Sequence, residues 1–242
     1  MMNYGEFSEK LKIAFNENGL GNLLNSFSSK KLYDFADILI KTNSRMNLTA
    51  ITDENGIILK HFVDCASISK YIPLNSSMID IGCGAGFPSL PISILREDVR
   101  VVAIDSTNKK IDFIDLVSKE LDIKNIYPKC VRAEDFAKEA RESFDIATSR
   151  AVAKLSVLDE LCLPFVKVGG SFIAMKSSKG DEEYKEAKNG LRILGANLKN
   201  KEVLTLSFCG DSIEREIFVF KKDKNTPSGY PRNYPQISKK PL

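Results

Sequence analysis

A glycine-rich turn between two apolar runs constrains the fold of this chain more than any other feature. Residues 80–88 read D-I-G-C-G-A-G-F-P, follow the apolar pair Met78-Ile79 and open a segment with helical spacing. A second apolar run, residues 101–104, then ends in Asp105. A strand, a glycine turn, a helix and a second strand with a terminal carboxylate are typical of a nucleotide-binding α/β unit. In such a unit the glycines admit the ligand and the carboxylate accepts hydrogen bonds from ribose hydroxyls.

The spacing of the glycines indicates which ligand the turn could hold. They alternate as G-x-G-x-G, with Asp80 two residues before the first, whereas a dinucleotide site has G-x-G-x-x-G and places a pyrophosphate on the helix N-terminus. Asp80 would repel a pyrophosphate but suits a cationic ligand such as S-adenosylmethionine, which carries a sulfonium, an ammonium and a ribose. Two other interpretations stay open: a nicotinamide-dependent dehydrogenase with His61 as its acid, and a turn that binds nothing.

The composition is typical of a folded enzyme in a reducing compartment. Of the 242 residues, 43% are hydrophobic, which is enough for a large core, and no apolar run approaches the roughly 20 residues of a membrane span. The N-terminus lacks a signal-peptide pattern. The five cysteines form no C-x-x-C pair, and with one histidine they predict no metal site. We therefore expect a cytoplasmic protein with no membrane association, whose net charge of +3 permits an RNA partner.

Apolar periodicity divides the chain into three parts: a helical region (residues 1–76), an α/β domain (77–222) and a tail (223–242). In the first part, apolar side chains at helical spacing predict three amphipathic helices. The sets that define them are Phe7, Leu11 and Phe15, then Leu32, Phe35, Leu39 and Ile40, and last Ile58, Phe62, Cys65, Ile68 and Ile72.

The α/β part alternates short apolar runs with helical segments, which predicts a sheet covered by helices on both faces. The predicted strands are residues 78–81, 100–104, 126–131, 144–148, 170–176, 202–208 and 215–221. The last two have no helix between them, so residues 209–212 should join them as an antiparallel hairpin at the sheet edge. The sequence thus predicts an α/β, Rossmann-like class I methyltransferase fold, with a seven-stranded mostly parallel sheet and an N-terminal helical extension.

The tail combines four prolines with cations and two tyrosines, Tyr230 and Tyr234. Proline at this density predicts neither helix nor strand. Tyrosines among cations suit a single-stranded RNA contact, because bases stack on aromatic rings. A solvated appendage without a ligand is the alternative.

Several separated motifs, read together, resemble the bacterial glucose-inhibited division protein B family, whose members methylate guanine N7 in 16S ribosomal RNA. The resemblance covers nearly the whole chain and is weakest in the first 25 residues. Two departures are Cys65, where the family usually has serine, and Asn233-Tyr234 in the tail. The motifs are Asn47-Leu48-Thr49, Lys60-His61-Phe62-Val63-Asp64, residues 80–88, Arg132-Ala133-Glu134, Ser149-Arg150-Ala151 and Tyr230-Pro231-Arg232.

The resemblance implies S-adenosylmethionine as the cofactor and assigns roles to its binding residues. Asp105 matches the ribose-binding carboxylate, and Arg150 matches an arginine near the methyl-transfer end. The remaining positions line the methionine and adenosyl groups in the glycine loop or lie beside the adenine: Gly82, Gly84, Phe87, Ala133 and Glu134. Two alternatives remain: Phe87 could be plain core, and Arg150 could form a structural pair with Asp145 or Glu134.

The lone histidine does not require a catalytic role under this interpretation. Guanine N7 carries no proton, so its methylation needs positioning and exclusion of water rather than a general base. His61 and Asp64, at i and i+3 on a helix, are therefore predicted to be an inter-domain or RNA-positioning pair, the alternative being a helix-surface pair that only packs the N-terminal helices on the sheet. Together with Arg232, Lys239 and Lys240 they form the expected substrate-binding set, and no catalytic residue is predicted.

The expected substrate is 16S rRNA, either free or within a small-subunit particle, with no obligate protein partner. An amino-group methyltransferase usually carries an Asn/Asp-Pro-Pro-Tyr/Phe motif after the fourth strand, where this chain has Ser149-Arg150-Ala151-Val152. An exocyclic amine is therefore not the expected methyl acceptor. Three alternatives stay open: a methyltransferase that acts on another RNA, one that acts on a small molecule or protein, and a non-catalytic RNA-binding module on the same fold.

Overall fold

The protein is described from a computed structural model that covers residues 3–150 and 153–242. Within these residues, seven strands form one sheet in the order β3-β2-β1-β4-β5-β7-β6. Strand β7 runs in the opposite direction to the other six. This is the predicted seven-stranded, mostly parallel α/β fold, which is therefore confirmed. The strands are β1 Ser77–Ile81, β2 Arg100–Asp105, β3 Ile126–Cys130, β4 Phe144–Arg150, β5 Val166–Lys176, β6 Ala196–Phe208 and β7 Asp211–Lys222.

The central strands are apolar almost throughout because helices cover both faces of the sheet. Neighbouring side chains alternate between two cores, so Met78 and Val101 pack on one face whereas Ile79 and Val102 pack on the other. The helices are α1 Tyr4–Glu17, α2 Ser26–Met46, α3 Glu54–Ile57, α4 Asp64–Ala66, α5 Ser89–Leu95, α6 Asn108–Glu120, α7 Ala133–Phe136, α8 Leu155–Cys162, α9 Gly180–Ile193 and α10 Tyr234–Lys239.

The N-terminal helices bury the apolar sets that the sequence indicated. Phe7, Leu11 and Phe15 of α1 are fully buried in the same core as one face of the sheet. The third predicted helix is less regular than expected. A π-helical turn, Ile58–Val63, separates α3 from α4, and the α-helix ends at Ala66. A 3-10 turn, Ser69–Tyr71, then leads towards β1.

The two final strands form the expected hairpin at the sheet edge, with Phe208 opposite Asp211. The turn is shorter than predicted and consists of Cys209 and Gly210, whose φ angles are 52° and 84°. Positive φ at both central positions matches the right-handed twist of the flanking strands. No helix of the described residues is long and apolar enough to cross a membrane.

The prediction that the tail contains no helix is wrong. The Asn233 side chain accepts a hydrogen bond from the Gln236 N–H and caps α10. Pro235 lies in the first turn of α10, where its missing N–H costs no helical hydrogen bond. Ile237 is fully buried, and Leu242 packs against the same core. The solvated appendage is therefore also wrong, since the tail is packed on the α/β part.

Candidate functional site

A cavity of about 1030 Å³ opens at the carboxyl ends of the parallel strands, the edge where ligands bind in open α/β sheets. It contains every residue that the sequence assigned to the cofactor, namely Gly82, Gly84, Phe87, Asp105, Ala133, Glu134 and Arg150. Of the five predicted substrate residues, His61 lines the cavity, whereas Asp64, Arg232, Lys239 and Lys240 do not.

The glycine loop lies against the end of β2. The N–H groups of Gly82 and Cys83 both donate to the Ile104 carbonyl, at 2.9 and 3.0 Å. Gly84 has φ 57°, and a Cβ built on it would meet nothing within 4 Å, so the backbone here faces open space. A Cβ on Gly86 would instead lie 2.4 Å from the Leu90 side chain. The loop thus exposes its backbone to the cavity at Gly84 and packs tightly against α5 at Gly86.

Asp105 ends β2 at the floor of the cavity. One carboxylate oxygen accepts from the Gly84 N–H at 3.1 Å, and the other accepts from the Thr107 N–H at 2.9 Å. The Lys110 ammonium lies 3.3 Å away. A carboxylate has about four acceptor sites, so lone pairs remain for a ribose. The Gly84 contact ties the ribose-binding candidate to the glycine loop.

Asp80 lies beneath the loop, is fully buried and accepts a hydrogen bond from the Ser89 N–H at 3.1 Å. Its other oxygen has no hydrogen-bond partner among the described residues. Burial raises the pKa of Asp80 to about 7. A nearby cation would favour the ionised form, so this carboxyl fits the sulfonium or ammonium of S-adenosylmethionine as a neighbour rather than as a contact.

Arg150 joins the end of β4 to the N-terminal helical region. Its guanidinium donates to the Lys60 carbonyl at 3.0 Å and to the Asp64 carboxylate at 2.9 Å, and lies 5.1 Å from the centre of the Phe87 ring. The alternative partners Asp145 and Glu134 are wrong, because Asp145 instead accepts from Ser77 and Lys167, and Glu134 from the Tyr234 N–H. Ala151 and Val152, the rest of that motif, lie outside the described residues.

Asp64 is fully buried and holds two arginines. Besides Arg150, it accepts from Arg215 of β7, with Nε at 2.8 Å and Nη2 at 3.2 Å. Neither residue lies at the helix surface, since His61 is only 5% exposed and Asp64 is 0% exposed. The packing of the N-terminal helices on the sheet, which was part of that alternative, does fit the contacts of Asp64 with β4 and β7. The burial of Asp64 also does not fit a direct contact with RNA, so it can act on a substrate only through the two arginines.

His61 is held by three neighbours. Its ring stacks on Phe87 at a centroid distance of 4.1 Å, Nε2 lies 2.9 Å from Thr49 Oγ1, and Nδ1 lies 3.2 Å from Arg150 Nη2. Arginine only donates, so Nδ1 accepts and Nε2 carries the proton. Burial, followed by the charge of Arg150, lowers the pKa of His61 to about 3. Both ring nitrogens are engaged, which leaves no free lone pair for a general base.

Phe87 serves packing and the cavity at once. It is 6% exposed and lies 5.4 Å from the ring of Phe35 in the core, yet it also lines the cavity beneath His61 and Arg150. The core interpretation and the ligand-lining interpretation of this residue are therefore compatible.

The far end of the cavity contains charged residues that sequence reasoning missed. Lys176 ends β5, is 7% exposed and lies 2.7 Å from the Glu183 carboxylate, and it also donates to the Ala153 carbonyl at 2.6 Å. Glu183 in turn accepts from the Leu155 N–H at 2.7 Å. The available signal was a lysine that directly continues the apolar run at residues 172–175 at a strand carboxyl end.

The charge of the cavity wall is mainly positive. Its acidic side chains are Asp105, Glu134 and Glu183. Twice as many cationic side chains line it: Lys60, Lys110, Arg132, Arg150, Lys176 and Arg215. A concave surface of this sign favours an anionic partner such as a nucleic acid.

The predicted RNA-binding residues of the tail, Arg232, Lys239 and Lys240, differ in their exposure and in their partners. Arg232 is committed to the fully buried Glu160 of α8, with backbone N–H and Nε 2.8 and 2.9 Å from Oε1. A free phosphate-binding role for Arg232 therefore does not fit the structure. Lys239 and Lys240 are exposed and remain available.

The family model for rRNA small subunit methyltransferase G matches residues 28–215. The chain belongs to this family. The resemblance stated from the motifs is thereby confirmed, and the dehydrogenase interpretation is wrong. A ribosomal RNA small subunit methyltransferase G from Clostridium tetani is 41% identical over 241 residues, covering 98% of this chain and 99% of its own. One from Staphylococcus carnosus is 44% identical over 224 residues, covering 90% and 92%.

Solved structures outside the methyltransferase G family share the fold at low identity. A precorrin-6y C5,15-methyltransferase from Geobacter metallireducens has a TM-score of 0.52 at 17% identity, covering 66% of this chain and 88% of its own. TYW2 from M. jannaschii, solved in complex with AdoMet, has a TM-score of 0.52 at 16% identity, covering 66% and 74%. These similarities place the chain among Rossmann-like methyltransferase folds.

Proposed function

We propose that this protein transfers the methyl group of S-adenosylmethionine to guanine N7 at one position of 16S ribosomal RNA. Family membership supports the reaction class, because the relatives are named as methyltransferases of small-subunit ribosomal RNA. The observation that carries the proposal is the cavity itself. It joins a glycine loop and a ribose-binding carboxylate at one end to the ion pair of buried Lys176 and half-buried Glu183 at the other.

The cofactor fits the residues at the first end. Open backbone at Gly84 leaves room for the ligand, Asp105 retains acceptor sites for ribose hydroxyls, and the unpartnered oxygen of Asp80 favours a nearby cation. Ala133 and Glu134 would lie beside the adenine. When bound, S-adenosylmethionine supplies an electrophilic methyl group on a positively charged sulfur.

The chemistry left to the protein is positioning, since guanine N7 presents an unprotonated lone pair in the plane of the ring. The state of His61 is consistent with a reaction that needs no general base, because Arg150 and Thr49 engage both of its nitrogens and it stays neutral at physiological pH. Arg150 is held rigidly by Asp64 and Lys60, so it can keep a bound base oriented and exclude water.

We infer that Lys176 and Glu183 recognise the guanine. Guanine presents O6, an acceptor, next to N7 on one edge, and carries N–H donors on the neighbouring edge. An ammonium suits O6, and a carboxylate suits the N–H groups. Adenine has an amino donor where guanine has O6, so the same pair would disfavour it. The Lys176–Glu183 pair would then determine which base is methylated and would have no part in cofactor binding.

The RNA itself would lie across the positive mouth of the cavity. We expect the exposed Lys239 and Lys240, which follow the cavity-lining Tyr234 in the chain, to contact the RNA as well. We propose 16S rRNA as the partner, either free or within a small-subunit particle, and the cytoplasm as the place of action.

The experiment that tests this proposal maps the modified nucleotide. Ribosomal RNA is prepared from a strain that lacks the gene and from the same strain carrying the wild-type gene. Borohydride reduction and aniline cleavage, followed by primer extension, detect N7-methylguanine as a stop. We expect one stop in 16S rRNA that depends on the gene and is lost with Asp105→Ala. Identical stop patterns in both strains would reject the proposal.

A further inference from the structure

We propose that the C-terminal tail, residues 223–242, forms part of the S-adenosylmethionine site, with the ring of Tyr234 closing the adenine end. The inference rests on the proposed function, because it takes Glu134 as the residue beside the adenine. It gives the tail a role in cofactor binding that an RNA contact alone would not require.

The contact between the tail and the cavity carries this inference. Tyr234 lines the cavity together with Ala133 and Glu134, although it lies 100 residues later in the chain than Glu134. Its backbone N–H points to Glu134 Oε1 at 3.4 Å, the long end of the hydrogen-bond range. The residue as a whole is 37% exposed, so Tyr234 is partly covered and partly available to a ligand.

An ion pair next to Tyr234 fixes the tail in this place. The backbone N–H and the guanidinium of Arg232 both bind Glu160, whose carboxylate is fully buried. Releasing the tail would break this ion pair and the backbone hydrogen bond to the same carboxylate, which is unfavourable. Tyr234 is therefore positioned two residues from a rigid anchor.

Further anchors lie on both sides. Upstream, Arg141 donates to the carbonyls of Tyr230 and Pro227, at 2.6 and 2.9 Å. Downstream, Ile237 is fully buried against the core beside α8. A segment held at both ends is a fixed wall of the cavity rather than a mobile arm that only reaches RNA.

The chemistry of this wall suits a purine. The Tyr234 ring offers an aromatic surface for stacking, and Glu134, with one oxygen held by the tail, keeps its second oxygen as an acceptor for an amino group. The tail thereby orders a residue of the cofactor site and adds one of its own.

The test measures S-adenosylmethionine binding to the full-length protein by calorimetry in the absence of RNA. We expect Tyr234→Ala to raise Kd roughly three- to tenfold, as loss of an aromatic stacking contact would, and Tyr234→Phe to stay close to wild type. Tyr127→Ala is the matched control, since Tyr127 is an exposed tyrosine that does not line the cavity. Its Kd should not change.

Two outcomes separate failure of this inference from failure of the proposed function. If wild type binds S-adenosylmethionine and Asp105→Ala loses binding, but Tyr234→Ala binds within twofold of wild type, the role of the tail is overturned and the proposed function stands. If wild type itself shows no binding, both fail. Thermal unfolding of each free variant reports whether its fold is intact, and the single Tyr234 substitutions leave the Arg232 and Ile237 anchors in place.

Discussion

Arg150 of β4 and Asp64 of α4 form an ion pair of 2.9 Å that connects the sheet to the N-terminal helical region. Asp64 is fully buried, and Arg215 of β7 binds its other side. One carboxylate therefore positions two cations at the cavity wall. This relationship explains how a residue that touches no solvent can control the surface that a substrate would meet.

Removal of Asp64 should be more damaging to stability than removal of Arg150. Asp64→Asn leaves two largely buried arginines without a counterion and should lower the free energy of unfolding by about 3–5 kcal/mol. Arg150→Ala should reduce the free energy of unfolding less, because Arg215 still binds Asp64. The folded variant should nevertheless lose methyl-transfer activity. Urea unfolding and a transfer assay measure the two effects. Lys167→Ala, which breaks an exposed pair with Asp145, is a control that should change stability little. Equal loss of stability in both Asp64 and Arg150 variants would contradict this account.

His61 should not appear in the pH dependence of the reaction. Its pKa is about 3 in the folded protein, far below its ordinary value of 6.5. His61→Asn should retain turnover, and at saturating S-adenosylmethionine the pH profiles of the wild type and of His61→Asn should have the same shape between pH 5 and 8. Loss of single-turnover chemistry in His61→Asn, with RNA and cofactor binding intact, would show that a step is missing.

The same shift predicts a stability effect with a definite sign. Below pH 6.5 the unfolded chain protonates His61 whereas the folded protein does not, so stability falls as pH falls towards 3, by up to about 1.4 kcal/mol per pH unit. Denaturant unfolding of wild type and His61→Asn at pH 5 and 7 measures this. The wild type should lose more stability on acidification than the variant does, and parallel losses would count against the neutral, buried histidine.

Cofactor affinity should depend on the ionisation of Asp80. Its pKa of about 7 means that the free protein is half protonated near neutrality, and a bound cation would favour the carboxylate. Below pH 7 binding must then release a proton, so affinity should fall by up to about tenfold per pH unit. Calorimetry at pH 6 and 8 measures this for wild type and Asp80→Asn, which should lose the dependence. Asp159→Asn is the control, because burial raises the pKa of Asp159 to about 8 but this residue lies in α8 beside Glu160 rather than beneath the glycine loop. An Asp80→Asn profile identical to wild type would reject this linkage.

Lys176, at the end of the cavity that we assign to guanine, should govern methyl transfer rather than cofactor binding. Lys176→Met keeps the length of the side chain but removes the ammonium that we assign to guanine O6. We expect unchanged Kd for S-adenosylmethionine and a loss of transfer of roughly tenfold or more, in line with the 1–3 kcal/mol of discrimination from a good base contact. Lys179→Met, an exposed lysine on the same loop, is the matched control. Normal transfer by Lys176→Met would remove Lys176 from base recognition.

The cations of the tail should divide into one structural residue and two RNA contacts. Arg232→Ala leaves the fully buried Glu160 carboxylate without a counterion, although the backbone N–H at position 232 still donates to it, and should destabilise the protein by about 3–5 kcal/mol. Lys239→Ala and Lys240→Ala should leave stability unchanged, and each should reduce the log–log salt slope of single-stranded RNA binding by about 0.7 if that lysine contacts a phosphate. Unfolding curves and binding titrations in a salt series separate the two classes. A reduced salt slope in Arg232→Ala without loss of stability would reverse the assignment.

Much of the fold could be predicted from the sequence because its signals are local. The glycine turn, the apolar runs and the hairpin turn are each encoded within a few residues, and all seven predicted strands are present. The last three begin earlier than the runs indicated, at Val166, Ala196 and Asp211 instead of 170, 202 and 215. The irregular features could not be read in this way. The π-helical turn at Ile58–Val63 interrupts a helix whose apolar spacing is unbroken, and α10 depends on a cap and on burial of Ile237 against a distant core.

The cofactor end of the cavity could also be predicted from the sequence, because its residues follow strands whose order the pattern implied. The ion pairs could not be predicted. Arg150 is 86 residues from Asp64, and Arg232 is 72 residues from Glu160, so nothing in local spacing connects them. Lys176 was missed since a lysine at a strand end ordinarily faces solvent, and only the packed structure places it at the cavity wall, 7% exposed and paired with Glu183.

The identity of the methylated atom decides whether guanine N7 is the acceptor. Purified protein is incubated with deuterium-labelled S-adenosylmethionine and with small subunits or 16S rRNA from a strain that lacks the gene, and the digested nucleosides are resolved by mass spectrometry. We expect labelled 7-methylguanosine at close to one methyl group per 16S rRNA, and none with Asp105→Ala. Label in an amino-methylated guanosine or adenosine instead, or no label from a protein that binds the cofactor, would contradict this expectation.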